Sequence, residues 1–213
     1  MPSTVPHPTP IFRIVHIENL PTLIQRAHIH APSCVPPDGL PWRGVHAAET
    51  QASRAQTQIL CGPRGTVSDY VGFYLGYRSP MLYRIKTGWN VQQVDQAEIV
   101  YLVAFAQAIE AQRLRFVFTD RHSLARVAAF YDDLSQLHQI DFETCYATRW
   151  NTTPTHPDRQ EKKQAEFLVH GGLPWSLIHT VGVSCSATRD RVRETLAGLE
   201  HELEVAIKKP WYY

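Results

Sequence analysis

The chain is poor in the features that assign a protein quickly. Its 213 residues hold only four cysteines, Cys34, Cys61, Cys145 and Cys185. They lie far apart with no CxxC pair, which argues against a disulfide framework and against a zinc-ligand pattern. Free thiols in a reducing compartment are expected. No apolar run approaches the roughly 20 residues needed to span a bilayer. The opening MPSTVPHPTP has neither the basic nor the apolar region of a secretion signal. A cytoplasmic protein without membrane association is expected. Strong charge is also lacking: the formal net charge is +1. Any attraction to phosphate must come from local basic patches. Familiar nucleotide motifs are missing too. Gly62-Pro63-Arg64-Gly65 lacks the Gly-Lys-Ser/Thr of a P-loop, and no GxGxxG follows a strand. His28 and His30 share a strand face, but no third ligand has suitable spacing, so no metal is expected.

What is present is ordinary for one globular core, with 44% hydrophobic and 19% charged residues. Prolines crowd the start, giving an extended lead-in over 1–10 and leaving 11–213 as a single domain. Ile11 to His16 reads as a strand. Asn19 can cap a short helix through Leu20, Leu23 and Ile24. Residues 32–58 carry no sustained period and predict a long, partly mobile connection of the kind that serves as a lid or binding element. Thr66–Leu75, Glu98–Phe105, Arg115–Phe118, Gln164–Val169 and Val181–Cys185 read as strands, with a helix running to Gln112 after the second of them. The spacing of Leu124, Val127, Ala128, Tyr131 and Leu134 predicts an amphipathic helix over 123–137. Residues 138–163 are irregular. A helix follows Ser186 or Thr188, and Val205–Tyr213 reads as a closing strand. Strands and helices alternate without regular βαβ spacing, so the class is α+β.

Glu166 is the first candidate for chemistry. It sits among Ala165, Phe167 and Leu168, and a carboxylate on a core strand needs a reason, because burying an unpaired charge is costly. Either it faces solvent or pairs with Lys162 or Lys163, or it points into a cleft to meet developing positive charge. His122, at the end of FVFTD, is a binding residue or a structural one beside a helix cap; His16 carries the same ambiguity. Arg54 is a lone loop arginine. Arg149, Arg159, Lys162 and Lys163 with Trp150 among them suit a single nucleic-acid strand, whose bases stack and whose phosphates need neutralising. They also suit a solvated loop face.

Five segments, in order, bear on these alternatives: PIFRIVHIENLPTLI, GTVSDYVGFYLGYRSPMLY, FVFTDRH, EKKQAEFLV and the terminal KKPWYY. Together they resemble the DarT family of bacterial toxins, which are DNA ADP-ribosyltransferases. The resemblance implies an α+β fold with a PARP-like ADP-ribosyltransferase core. It implies NAD as co-substrate, single-stranded DNA as acceptor with thymidine as the modified nucleotide, and a macrodomain antitoxin that reverses the modification. A monomer is expected. Ile14, Val15 and His16 would hold the nicotinamide end of NAD, and the 35–57 connection would be the NAD-binding loop-helix with Arg54 reaching the cofactor or the attacked base. Glu166 matches the catalytic glutamate, with Arg54 beside it in the chemistry. His122, Arg78, Arg149, Trp150, Lys162 and Lys163 would face the DNA. Gly72, where the family commonly has proline, and Leu75, where it has phenylalanine, depart from the pattern. Both are expected on scaffold or rim positions.

Overall fold

A computed structural model describes residues 4–199 and 203–213. Its strands are β1 (Pro10–His16), β2 (His28–His30), β3 (Gln58–Ile59), β4 (Gly65–Thr66), β5 (Tyr70–Tyr74) and β6 (Ile99–Phe105). There follow β7 (Phe116–Thr119), β8 (Phe130–Tyr131), β9 (Glu166–His170), β10 (Gly172–Pro174), β11 (Thr180–Val183) and β12 (Glu204–Ile207). The helices are α1 (Leu20–Arg26), α2 (Ala48–Gln56), α3 (Pro80–Thr87), α4 (Ala106–Ala111), α5 (Phe142–Tyr146), α6 (Arg159–Lys162) and α7 (Ser186–Thr195). Eight strands form one sheet in the order β12-β11-β6-β1-β5-β9-β7-β8. Every pairing in it is antiparallel except β11 with β12. This is the α+β arrangement that the sequence indicates. Among the described residues no helix is long and apolar enough to cross a membrane.

The apolar runs at the centre of the sheet are buried on both faces. On β6, Val100, Leu102 and Ala104 join the larger core, while Ile99, Tyr101 and Val103 join a second one. On β1, Ile11 and Val15 face the first core and Phe12 and Ile14 the second. A strand covered on both sides reads as a continuous hydrophobic run, and its period of two shows only in the packing.

Three expectations change. The 123–137 helix does not form. Phe130 and Tyr131 pair with β7 instead, Tyr131 stacks on Phe118 with ring centroids 5.3 Å apart, and the Asp120 carboxylate accepts from the Ala129 amide. Leu134–Gln139 is a 3-10 turn started by the Asp133 carboxylate. Val127 stays largely exposed, so the helical spacing of apolar residues corresponds to no buried face. The strand expected over 66–75 is broken by a 3-10 turn at Val67–Asp69, which a reciprocal Thr66–Asp69 capping box fixes before β5 begins. The closing strand stops at Ile207 and gives way to a turn at Lys209–Trp211. There the Trp211 ring lies against Gly182, leaving no room for a Cβ, and the Tyr212 hydroxyl donates to the carbonyls of Ile99 and Gly182. Of the lead-in over 1–10, residues 1–3 lie outside the described residues, and Pro10 already belongs to β1.

Candidate active site

A cleft of roughly 410 Å³ opens above the middle of the sheet. Its floor is Arg13 and Ile14 of β1, Gly72 to Tyr74 of β5 and Glu166 of β9. One wall is the segment from Val35 to His46 together with Thr50, Gln51 and Arg54 of α2. The other wall is Met81 and Arg84 of α3, with His122 and Gln164 at the end.

Glu166 opens β9 directly across from Tyr74 and is only 3% exposed. Its amide donates to Thr119 Oγ1 at 3.1 Å, which fixes the strand end. Its carboxylate does not pair with the lysines beside it in sequence. Lys162 is held by Asp158 at 2.9 Å. The partner of Glu166 is Arg54, whose Nη1 lies 3.2 and 3.0 Å from the two carboxylate oxygens. Arg54 reaches it from the last turn of α2, where a cation also suits the helix dipole. A buried carboxylate is thereby compensated and still faces an open cleft.

His122 Nδ1 accepts from the Leu124 amide at 3.2 Å. The proton of the neutral ring therefore sits on Nε2, which lies 4.0 Å from Glu166 Oε1. Burial lowers the His122 pKa, and the Glu166 charge opposes that only in part. Facing Glu166, the imidazole is thus a donor and not a free base.

Arg13 was missed by the sequence reading, although it carried the signal that singled out Glu166: a charged residue inside an apolar strand. Its Nη1 donates to the Gly72 carbonyl at 2.7 Å, and burial, then Arg54, pushes its pKa down to about 10. It remains charged at neutral pH. His46 stands on the wall above Arg13; exposed as a residue, it turns its ring toward the cleft, where desolvation and then the charges of Arg13 and Arg54 lower its pKa. Arg13, Arg54 and Arg84 outnumber Glu166, the one carboxylate among the described residues lining the cleft. The site is therefore cationic around a single anionic point.

Gly72 is neither scaffold nor rim. A Cβ there would lie 2.9 Å from Arg54 Nη2, so the bare backbone lets the guanidinium rest against β5. Leu75 is fully buried in the larger core, as a scaffold position would be.

The remaining expected residues separate. Ile14 lines the cleft, but Val15 turns into the larger core. His16 is fully buried and does not line the cleft, with Nδ1 accepting from the Glu18 amide at 3.2 Å. Lys163 does not fit the expected contact with DNA: it is 1% exposed, and its ammonium donates to the carbonyls of Tyr77 (2.9 Å) and Cys145 (2.6 Å). Burial pushes its pKa down to about 8. Arg149 is exposed. Trp150 donates through Nε1 to the Tyr213 hydroxyl at 2.7 Å, and the Arg78 guanidinium lies 4.7 Å over the Tyr213 ring. Arg78 and Trp150 thus meet at the chain's last residue. His16, Glu18 and Glu98 cluster closely enough to suggest a metal, but Arg43 already pairs with the Glu18 carboxylate and Arg191 with that of Glu98.

A family model described as ssDNA thymidine ADP-ribosyltransferase, DarT, matches residues 12–213. A DNA ADP-ribosyl transferase of Thermus sp. (strain 2.9) is 38% identical over 215 residues, covering 100% of both chains. The structure of Thermus sp. 2.9 DarT in complex with ADP-ribosylated ssDNA is similar with a TM-score of 0.93 at 38% identity, over 100% of each chain. That of Thermus sp. 2.9 DarT in complex with NAD+ gives 0.87 at 37% identity, over 99% of this chain and 100% of the other. With its family model matched along nearly its whole length, this chain belongs to the DarT family of single-stranded-DNA ADP-ribosyltransferases.

Proposed function

We propose that the protein transfers ADP-ribose from NAD+ to thymine in single-stranded DNA and releases nicotinamide, with Glu166 as the catalytic residue. The observation that carries this reading is the buried Glu166 carboxylate, compensated by Arg54 and open to a cationic cleft. NAD+ brings two phosphate charges, and Arg13 and Arg84, which line the cleft, are the cations that this reading assigns to them. Loss of nicotinamide leaves an oxocarbenium-like ribose, and a fixed carboxylate stabilises that developing charge. Ile14 supplies apolar wall to the same cleft.

Thymine N3 attacks the ribose C1″ as the C1″–nitrogen bond breaks, and its electron pair leaves on nicotinamide. The N3 proton must also leave. Arg54 is unsuited to take it, since a guanidinium pKa lies above about 12. His122 donates at Nε2, so Glu166 receives the proton and Arg54 and His122 position it. N3–H is engaged in Watson–Crick pairing within a duplex, which restricts the acceptor to unpaired DNA. Arg78, Arg149, Trp150 and Lys162 supply the cationic and aromatic surface that such a strand needs. A toxin of this chemistry requires an opposing hydrolase, and a macrodomain antitoxin is the partner that this reading assigns.

The test is incubation with labelled NAD+ and a panel of single-stranded DNA, duplex DNA, RNA and protein. Label on single-stranded DNA that disappears in Glu166→Ala supports the reading. Label on RNA or protein alone would move the acceptor, and binding without transfer would make the protein an inert nucleic-acid-binding module.

A further inference from the structure

The cleft wall formed by the segment between β2 and α2 has two sides. Residues 35–47 contain neither strand nor helix. A stretch of that kind is expected to be mobile, yet its middle, from Asp38 to Arg43, is fastened to one face of α1 and its N-cap. The side chain of Asn19 grips the Arg43 backbone twice, donating from Nδ2 to the carbonyl at 2.8 Å and accepting the amide at 2.7 Å. Thr22 Oγ1 donates to the Pro41 carbonyl at 2.8 Å. Arg26 completes the series with a two-pronged pair to Asp38 at 2.8 and 2.7 Å. Residues 19, 22 and 26 recur at helical spacing, so they form one polar stripe along α1 and its N-cap.

Asn19 and Thr22 are buried, and buried polar side chains must find partners. Here the partners are the backbone groups of the loop. The opposite side of the same stretch presents Trp42, Gly44 and His46 to the cleft, and the chain then enters α2, which carries Arg54.

We propose that Asn19, Thr22 and Arg26 are positioning residues for NAD+, holding residues 38–46 in their cofactor-binding shape before the cofactor arrives. The inference rests on the cleft being the NAD+ site. A loop ordered in advance spares binding the entropy of ordering it. Cutting an anchor moves that cost into cofactor binding, while the saturated complex reacts as before.

The test uses the full chain with single-stranded DNA held saturating and NAD+ varied. Asn19→Ala, Arg26→Ala and Asp38→Ala are each expected to raise KM for NAD+ about 5- to 10-fold with kcat nearly unchanged. The exchanged pair Arg26→Asp with Asp38→Arg is expected to recover most of that loss, which assigns it to this contact; the rise in KM for NAD+ at constant kcat is what a merely structural role would not produce. Asp38→Ala lies on the exposed side of the contact and keeps the test alive if Asn19→Ala fails to fold. Hydrogen exchange on the protein without NAD+ should show the Arg43 amide protected. Unchanged KM in Asp38→Ala, or an Arg43 amide exchanging as in a free chain, overturns the proposal. Wild-type protein that binds no NAD+ overturns this inference and the functional reading together. Normal transfer with unchanged KM in the variants overturns this one alone.

Discussion

Arg54 Nη1 sits 3.0 and 3.2 Å from the two carboxylate oxygens of Glu166, a residue 112 positions further along the chain. Both side chains are largely buried, at 12% and 5% exposed. Each makes the burial of the other tolerable, and neither is legible as half of a pair from its own surroundings in sequence.

Removing one partner separates their roles. Arg54→Ala leaves the carboxylate without its cation and should lower stability by about 2 kcal/mol, less than for a fully enclosed pair because the cleft admits water. It should also reduce kcat by roughly 100-fold, as misplacing a catalytic group does. Urea denaturation and steady-state transfer to an oligonucleotide check the two effects. Arg54→Ala with wild-type stability would mean that the ion pair is not formed in solution.

The pH dependence of stability should carry a His122 contribution. Burial lowers its pKa in the folded protein below the ordinary histidine value. The unfolded chain then takes up the proton first as pH falls. The contribution is therefore fully present above about pH 6.5 and is lost as pH drops toward the folded pKa. Urea titrations at pH 7 and pH 5 should show a smaller difference for His122→Gln than for wild type. An equal or larger difference would show that the imidazole is not desolvated.

Trp150 offers a test of the DNA face. Trp150→Ala should raise KM for single-stranded DNA about 5- to 100-fold, the range for one lost base–aromatic stack, with KM for NAD+ unchanged. Trp150→Phe keeps a ring while losing the bond to Tyr213 and should fall between the two. Equal loss in both variants would assign the effect to the Tyr213 contact instead.

Lys163 should behave as a structural cation. Lys163→Ala leaves the carbonyls of Tyr77 and Cys145 without their donor and should cost about 1–3 kcal/mol of stability. Affinity for single-stranded DNA, followed by fluorescence anisotropy, should stay within about 2-fold of wild type, since no phosphate contact is lost. A large fall in affinity at unchanged stability would return Lys163 to the DNA surface.

The central strands were legible because β1, β6 and β9 concentrate apolar and β-branched residues. Glu166 stood out because a carboxylate among Ala165, Phe167 and Leu168 demands an explanation. The same rule applied to Arg13 would have found the second charged residue of the floor. The helix expected over 123–137 misled because i, i+3 and i+4 spacing records a face only when something covers it, and Val127 is open to solvent. Lys163 looked like part of a basic patch because sequence adjacency to Lys162 hides opposite environments: one lysine meets Asp158 at the surface and the other meets two buried carbonyls. Asn19 and Thr22 hold backbone groups of Arg43 and Pro41, and backbone groups carry no signature in the residue types.

The most direct measurement is mass spectrometry of a thymine-containing single strand after incubation with NAD+ and either wild-type protein or Glu166→Gln, which keeps the shape of the side chain and removes its charge. The expected result is one ADP-ribose on thymine with wild type, none on the same sequence as a duplex, and a rate at least 100-fold lower with Glu166→Gln. Equal modification by both proteins, or modification of duplex and single strand alike, would contradict the role of Glu166 and the single-stranded acceptor.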